Sequence, residues 1–231
     1  MYAKFWEEQA ENLSGDHPLI KETLRYLGYS SSQAETADER TLEVVIECAG
    51  ELARRCRPRH ISRRIPVKAA GGSRTELEGG FVWESESLGR ALGGCSEVLI
   101  FGATLGVEAD MLIGRFARRD ISRAAIMAAA ATAFTEDYCD WACRRLEEEL
   151  QQQGHTLGER FSPGYGDFSL EYQGDIFRIL DCPKNIGVTL TDEFIMIPSK
   201  SVTAVMAIDG YCGKQLGCRY CSKADCLYRR K

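Results

Sequence analysis

Apolar residues recur at helical spacing along several stretches of the chain. Leu19, Ile20, Leu24 and Leu27 follow Pro18, and Gly28 ends the run, which predicts a helix over 18–28. Thr36-Ala-Asp-Glu39 fits a capping box, with Thr36 accepting from the backbone and Glu39 reaching back. The helix that it opens carries Leu42, Val45, Ile46, Ala49, Ala53 and Cys56 on one face and stops at Pro58. The longest helix is predicted between about Ser122 and Gln152. Its stripe is Met127, Ala131, Phe134, Tyr138, Trp141, Leu146 and Leu150, and Gly154 ends it. A further helix runs from about Leu170 to Leu180 and closes before Pro183.

Between these runs the pattern changes. His60 to Val67 and Glu76 to Trp83 read as two strands of a hairpin around Gly71-Gly72-Ser73. Ser85 to Leu92 is a short helix, and Glu97 to Phe101 a buried strand that Gly102 to Gly106 turns into the next helix. Phe194 to Ile197 and Val202 to Ile208 are predicted to pair around Pro198-Ser199-Lys200. Strands and helices do not alternate strictly. An α+β class follows, with mixed helices packed on an antiparallel sheet. No internal repeat occurs, and neither a GxGxxG opening a helix nor a Walker lysine motif is present.

Length and composition add limits. The 231 residues are 44% hydrophobic and 27% charged, ordinary for a globular chain that buries a core. No apolar run reaches the roughly 18 residues that a membrane helix needs, and the first residues do not read as a signal peptide. A cytoplasmic protein without a membrane role is expected. The net charge of −5 is uneven, because residues 211–231 carry +5 and leave −10 on residues 1–210. That break divides the chain into a body, 1–210, and a Cys-rich basic tail, 211–231.

The densest chemistry lies in residues 160–168, Arg-Phe-Ser-Pro-Gly-Tyr-Gly-Asp-Phe. Pro163 fixes one φ, Gly164 and Gly166 permit close backbone approach, and Arg160 suits a bidentate clamp on a carboxylate. The plainer reading is a rigid turn between two helices. Glu136 and Asp140 share a helix face, as an acid pair or a solvated surface. Cys139 and Cys143 are also four apart, as metal ligands or as buried small hydrophobes.

Residues 160–173 resemble the RxxPGY region of the activation domain of cobalamin-dependent methionine synthase. Leu24-Arg-Tyr-Leu-Gly-Tyr29, Ala103-Thr-Leu-Gly106 and Pro198-Ser-Lys-Ser-Val-Thr203 are similar to segments of stand-alone relatives of that domain. Their order and spacing suit the family over most of residues 20–210. The resemblance implies that the chain binds S-adenosylmethionine and supports reductive remethylation of a corrinoid. Arg160 would hold the methionine carboxylate. Ser162 and Gly164 would offer backbone contacts in the loop shaped by Pro163, Tyr165 would face the corrinoid, and Glu136 would meet the ammonium. The strand 202–208 would form one wall, where the fused domain has an aromatic pair and this chain has Val205, Met206 and Ala207. The implied partner is a corrinoid-binding methionine synthase or related methyltransferase, which carries the cobalamin. A flavodoxin- or ferredoxin-type protein would donate the electron. The chain would assist a methyl transfer made on its partner.

Ten cysteines are many for a reducing compartment. Cys212, Cys218, Cys221 and Cys226 crowd the tail at a spacing that fits four ligands of a zinc ion or an iron–sulfur cluster. The alternatives are a reduced tail or local disulfides. An iron–sulfur centre there could deliver the electron. A second class of function makes the tail itself a metal-binding redox or interaction module, without S-adenosylmethionine. The basic run Arg54, Arg55, Arg57, Arg59, Arg63, Arg64 and Lys68 suits an acidic protein partner or a solvated face better than nucleic acid, because the body is acidic and no nucleic-acid motif accompanies it. His17, His60 and His155 lie far apart and carry no role.

Overall fold

The computed structural model describes residues 13–29 and 37–210. Helices α1 (Pro18–Tyr26) and α2 (Glu39–Arg55) come first, then strands β1 (Arg59–Gly71), β2 (Arg74–Leu77) and β3 (Val82–Glu84). Helix α3 (Glu86–Leu92), strand β4 (Glu97–Thr104), helix α4 (Val107–Ala117) and the long α5 (Ile121–Gln151) follow. A 3₁₀ turn (Leu170–Tyr172), α6 (Gln173–Leu180), α7 (Cys182–Ile186), β5 (Thr189–Leu190), β6 (Met196–Ile197) and β7 (Ser201–Ile208) complete the order.

The described residues group into two units, and α5 contributes to both. The first unit holds residues 13–29, 37–59, 104–140 and 197–201. Here α1 and α4 each pack on α2. Leu19, Ile20 and Leu24 of α1, Val45, Ala49 and Leu52 of α2, and Ala109 and Leu112 of α4 are buried, as the helical stripes require. Each of the Leu, Ile and Val side chains taken from water contributes about 1.5–3 kcal/mol. His17 caps α1, its Nδ1 accepting from the Leu19 amide at 3.2 Å. The cap of α2 differs from the expected box: Asp38 accepts from the Thr41 amide at 2.9 Å, while Thr36 lies outside the described residues. Asp does this as well as Thr, and two candidate caps two residues apart are not separable by pattern. A polar clamp fixes residues 198–201. Asp110 Oδ2 accepts from the Ser199 amide at 2.7 Å, Lys200 Nζ donates to Thr132 Oγ1 at 2.9 Å, and Ser201 Oγ donates to the Pro198 carbonyl at 2.7 Å.

The second unit holds residues 60–103, 141–196 and 202–210. Its sheet has the order β3-β2-β1-β4-β7, with β1, β2 and β3 antiparallel in turn. The expected second hairpin strand is split into β2 and β3, because Gly79 and Gly80 turn the chain at φ of 91° and 84°. β4 runs on to Thr104, past the expected stop at Phe101; Gly102 stays in the strand, where a Cβ would lie 3.1 Å from Leu180 Cδ1. The expected pairing of 194–197 with 202–208 is not formed. β6 pairs with β5 in a separate two-stranded sheet, and β7 lies beside β4. Pro183 opens a second short helix, α7, instead of only closing the one before it, as proline at a first helical turn allows.

The core of this unit is Leu77, Trp83, Leu88, Val98, Ile100, Phe168, Ile176, Leu180 and Val205 with their neighbours. Thr203 Oγ1 donates to Gln173 Oε1 at 2.9 Å, joining β7 to α6 through two buried polar groups. His155 Nδ1 lies 2.5 Å from Asp209 Oδ2, and His60 stacks on Phe101 with centroids 6.2 Å apart. Cys139 is fully buried and Cys143 half-buried, with its Sγ 3.9 Å from Met206 Sδ. The tail, 211–231, lies outside the described residues.

Candidate functional site

The loop at 160–168 belongs to the second unit and is built from its backbone outward. Residues 157–161 run along β7 as an irregular outer strand. Leu157 bridges Ile208 and Phe161 bridges Val205, both antiparallel. The Phe161 amide donates to the Val205 carbonyl at 2.9 Å, and the Val205 amide returns the bond at 2.8 Å. Arg160 is therefore delivered by main-chain pairing, one residue before a closed bridge. It is half-buried, with Nη1 shut off from solvent.

Beyond the bridge the chain closes on itself. The Tyr165 amide donates to the Ser162 carbonyl at 3.1 Å, Phe168 to Tyr165 at 3.0 Å, and Gly164 to Phe168 at 2.7 Å. The Gly164 amide is thus engaged inside the loop. Pro163 is buried and Ser162 half-buried. Gly164 and Gly166 have φ of 90° and 58°, which only glycine adopts freely. Tyr165 stands outward at 57% exposure, its ring edge-on to Phe161 at 6.1 Å. Beneath lies an aromatic floor. Phe168 is stacked on Tyr172 at 5.3 Å and meets Trp83 edge-on at 5.6 Å. Trp83 Nε1 donates to Asp175 Oδ2 at 2.8 Å, and the Tyr172 hydroxyl accepts from the Glu84 amide at 3.0 Å.

Asp167 fastens the loop to the start of α3. Its Oδ1 accepts from Ser85 Oγ at 2.6 Å and from the Ser87 amide at 3.0 Å, and its Oδ2 from the Glu86 amide at 2.8 Å. The Ser85 hydroxyl, with the Ser87 amide next, holds this carboxyl well below the usual carboxylate range. Sequence reasoning did not single out Asp167. Its partners are some 80 residues away, and the only local sign was an acid placed between two loop glycines and a buried Phe.

Val205, Met206 and Ala207 on β7 are all buried, and Val205 and Ala207 belong to the core. Glu136 is half-buried on α5 in the first unit. The basic run stays largely exposed, with several of its side chains tied to neighbours. Arg63 Nη1 donates to the Ile179 carbonyl at 3.1 Å, Arg64 pairs with Glu97, Lys68 Nζ lies 3.8 Å from Glu76, and Arg57 donates to the Arg54 carbonyl at 2.9 Å. Among the described residues, no group of three or more His, Cys, Asp or Glu is arranged to hold a metal ion, and no helix is long and apolar enough to cross a membrane. Cys212, Cys218, Cys221 and Cys226 lie outside those residues.

The family model of the vitamin B12-dependent methionine synthase activation domain matches residues 95–211, just over half of the chain, including the whole loop. The chain belongs to this family. No curated protein matches it. The fold of this activation domain is similar to that in a crystal structure of the MetH reactivation domain bound to AdoHcy, with a TM-score of 0.58 and 19% sequence identity over 86% of this chain and 71% of that one. The α+β class expected for an activation domain is the class observed.

Proposed function

We propose that this activation domain binds S-adenosylmethionine at the 160–168 loop and presents its methyl group to a corrinoid carried by a methionine synthase or related methyltransferase. The observation that carries this reading is the family match over 95–211, which takes in Arg160, Ser162, Pro163, Gly164 and Tyr165. The AdoHcy bound to a reactivation domain of similar fold supports the same ligand class. A corrinoid carried by the partner, with a flavodoxin- or ferredoxin-type electron donor, would supply the methyl-accepting chemistry.

The chain's own residues bind and orient the donor. Arg160 takes the carboxylate by charge-assisted hydrogen bonds. Tyr165 offers an exposed ring at the outer rim, and Glu136 is assigned the ammonium. The bridge at Phe161, the loop's internal hydrogen bonds and its tie to α3 fix the backbone of Arg160 and Tyr165 before the ligand arrives, so less ordering entropy is lost on binding. Positioning is the main contribution that a protein makes to such a transfer.

The test is calorimetric titration with S-adenosylmethionine, wild type against Arg160→Ala. Loss of a hydrogen bond to a charged group costs about 1.5–3 kcal/mol, roughly tenfold or more in affinity. A folded wild-type protein that shows no saturable binding refutes the proposal.

A further inference from the structure

Two exposed residues of the basic run, Arg54 and Arg55, line a cavity in the first unit. This cavity has a volume of about 310 Å³ and is lined by Glu47, Glu51, Arg54, Arg55 and Arg123. Its two carboxylates already have cationic partners. Glu47 Oε2 accepts from Arg123 Nη2 at 2.7 Å, and Glu51 Oε1 from Arg115 Nη2 at 2.8 Å, with Arg55 Nε 3.6 Å away. The guanidinium groups of Arg115 and Arg123 both lie over the Phe116 ring, 4.6 and 5.0 Å from its centroid. These ties hold the arginines in place. Four guanidinium groups stand against two carboxylates, so the cluster keeps a positive surplus.

Arg54 accounts for much of that surplus. Among the described residues no carboxylate lies within ion-pair distance of it. It folds back along α2 over Gly50, where a Cβ would come within 3.1 Å of its Nη1. The missing side chain at residue 50 makes the space in which this guanidinium lies. A cavity with one cation of unmatched charge, beside the tied Arg123 and the looser Arg55, suits a tetrahedral oxyanion, because guanidinium donors match phosphate geometry in pairs.

We propose that this cavity binds a phosphate-bearing small anion, with Arg54 as its principal contact and Arg55 and Arg123 beside it. The site is independent of the 160–168 loop and of the methyl-donor reading. The full chain is titrated calorimetrically at low salt with inorganic phosphate, pyrophosphate and AMP. Saturable one-to-one binding of at least one of them is expected. Arg54→Ala weakens it about tenfold or more, as expected when a charged partner is removed. Gly50→Ala keeps every charge and favours the helix, and the exposed guanidinium need give only a few tenths of an ångström, so this control keeps binding. Preference for phosphate or pyrophosphate assigns a free inorganic anion, and preference for AMP a nucleotide. The proposal is overturned if none of the three binds saturably, or if Arg54→Ala binds as wild type does.

Discussion

Gly166 lies where the loop meets α3 too closely for a side chain. At this position a Cβ would lie 2.6 Å from Ser87 Oγ and 2.9 Å from Ser87 Cβ, in a backbone with φ of 58°. Gly166→Ala therefore carries two costs. The left-handed backbone costs about 1–2 kcal/mol for an L residue. The contact with Ser87 adds about 1–3 kcal/mol of overpacking, because Ser87 must shift while its amide is held by Asp167. A double-mutant cycle with Ser87→Gly separates the two, since only the contact is relieved when the Ser87 side chain is gone. Urea unfolding of the four proteins should show a coupling of about 1–3 kcal/mol, with the double variant more stable than the sum of the single changes predicts. Titration of the single Gly166→Ala variant with S-adenosylmethionine should show weaker binding that Ser87→Gly partly restores. If the two changes add within about 0.5 kcal/mol, the loop is not held against α3 in the way described.

Two further outcomes are expected. The Asp167 carboxyl has its folded-state pKa depressed by the Ser85 and Ser87 bonds. Its stabilising effect is thus complete above the unfolded carboxylate range near pH 4 and is lost as pH falls through the lower folded value. The stability gap between wild type and Asp167→Asn should be widest at neutral pH and should shrink on acidification; a gap that does not change with pH contradicts the clamp. Burial pushes the Cys48 thiol up to about 11 and those of Cys56 and Cys182 up to about 12. Peptide mapping after iodoacetamide at pH 8 should find these three protected in the native protein and labelled once it is unfolded. Native labelling of Cys182 at the unfolded rate would contradict its placement beside Gly102.

Elements stabilised by their own stripe were legible in the sequence. The helices α1, α2 and α5 follow apolar spacing because each buries one face, and β4 reads as an apolar run because it is buried almost throughout. What depended on partners distant in sequence was not legible. β7 lies beside β4 and not beside the nearer β6, and no local pattern distinguishes two apolar strands as mates. The same holds for the candidate loop. Its glycines and Arg160 stood out in the sequence, since their chemistry is local. The anchoring by Asp167 and the aromatic floor of Trp83, Phe168 and Tyr172 did not, because these residues meet only in the folded chain.

The bridges of 157–161 to β7 give the loop a reading frame. Neighbouring side chains along an extended segment point to opposite faces, so the Phe161–Val205 bridge settles together that Phe161 turns inward and Arg160 the other way. Four steps separate the two bridges on this segment and three on β7, so the pairing already takes up one extra residue between them. A one-residue change in length there falls where the pairing is already irregular, and the Phe161–Val205 bridge can keep its place.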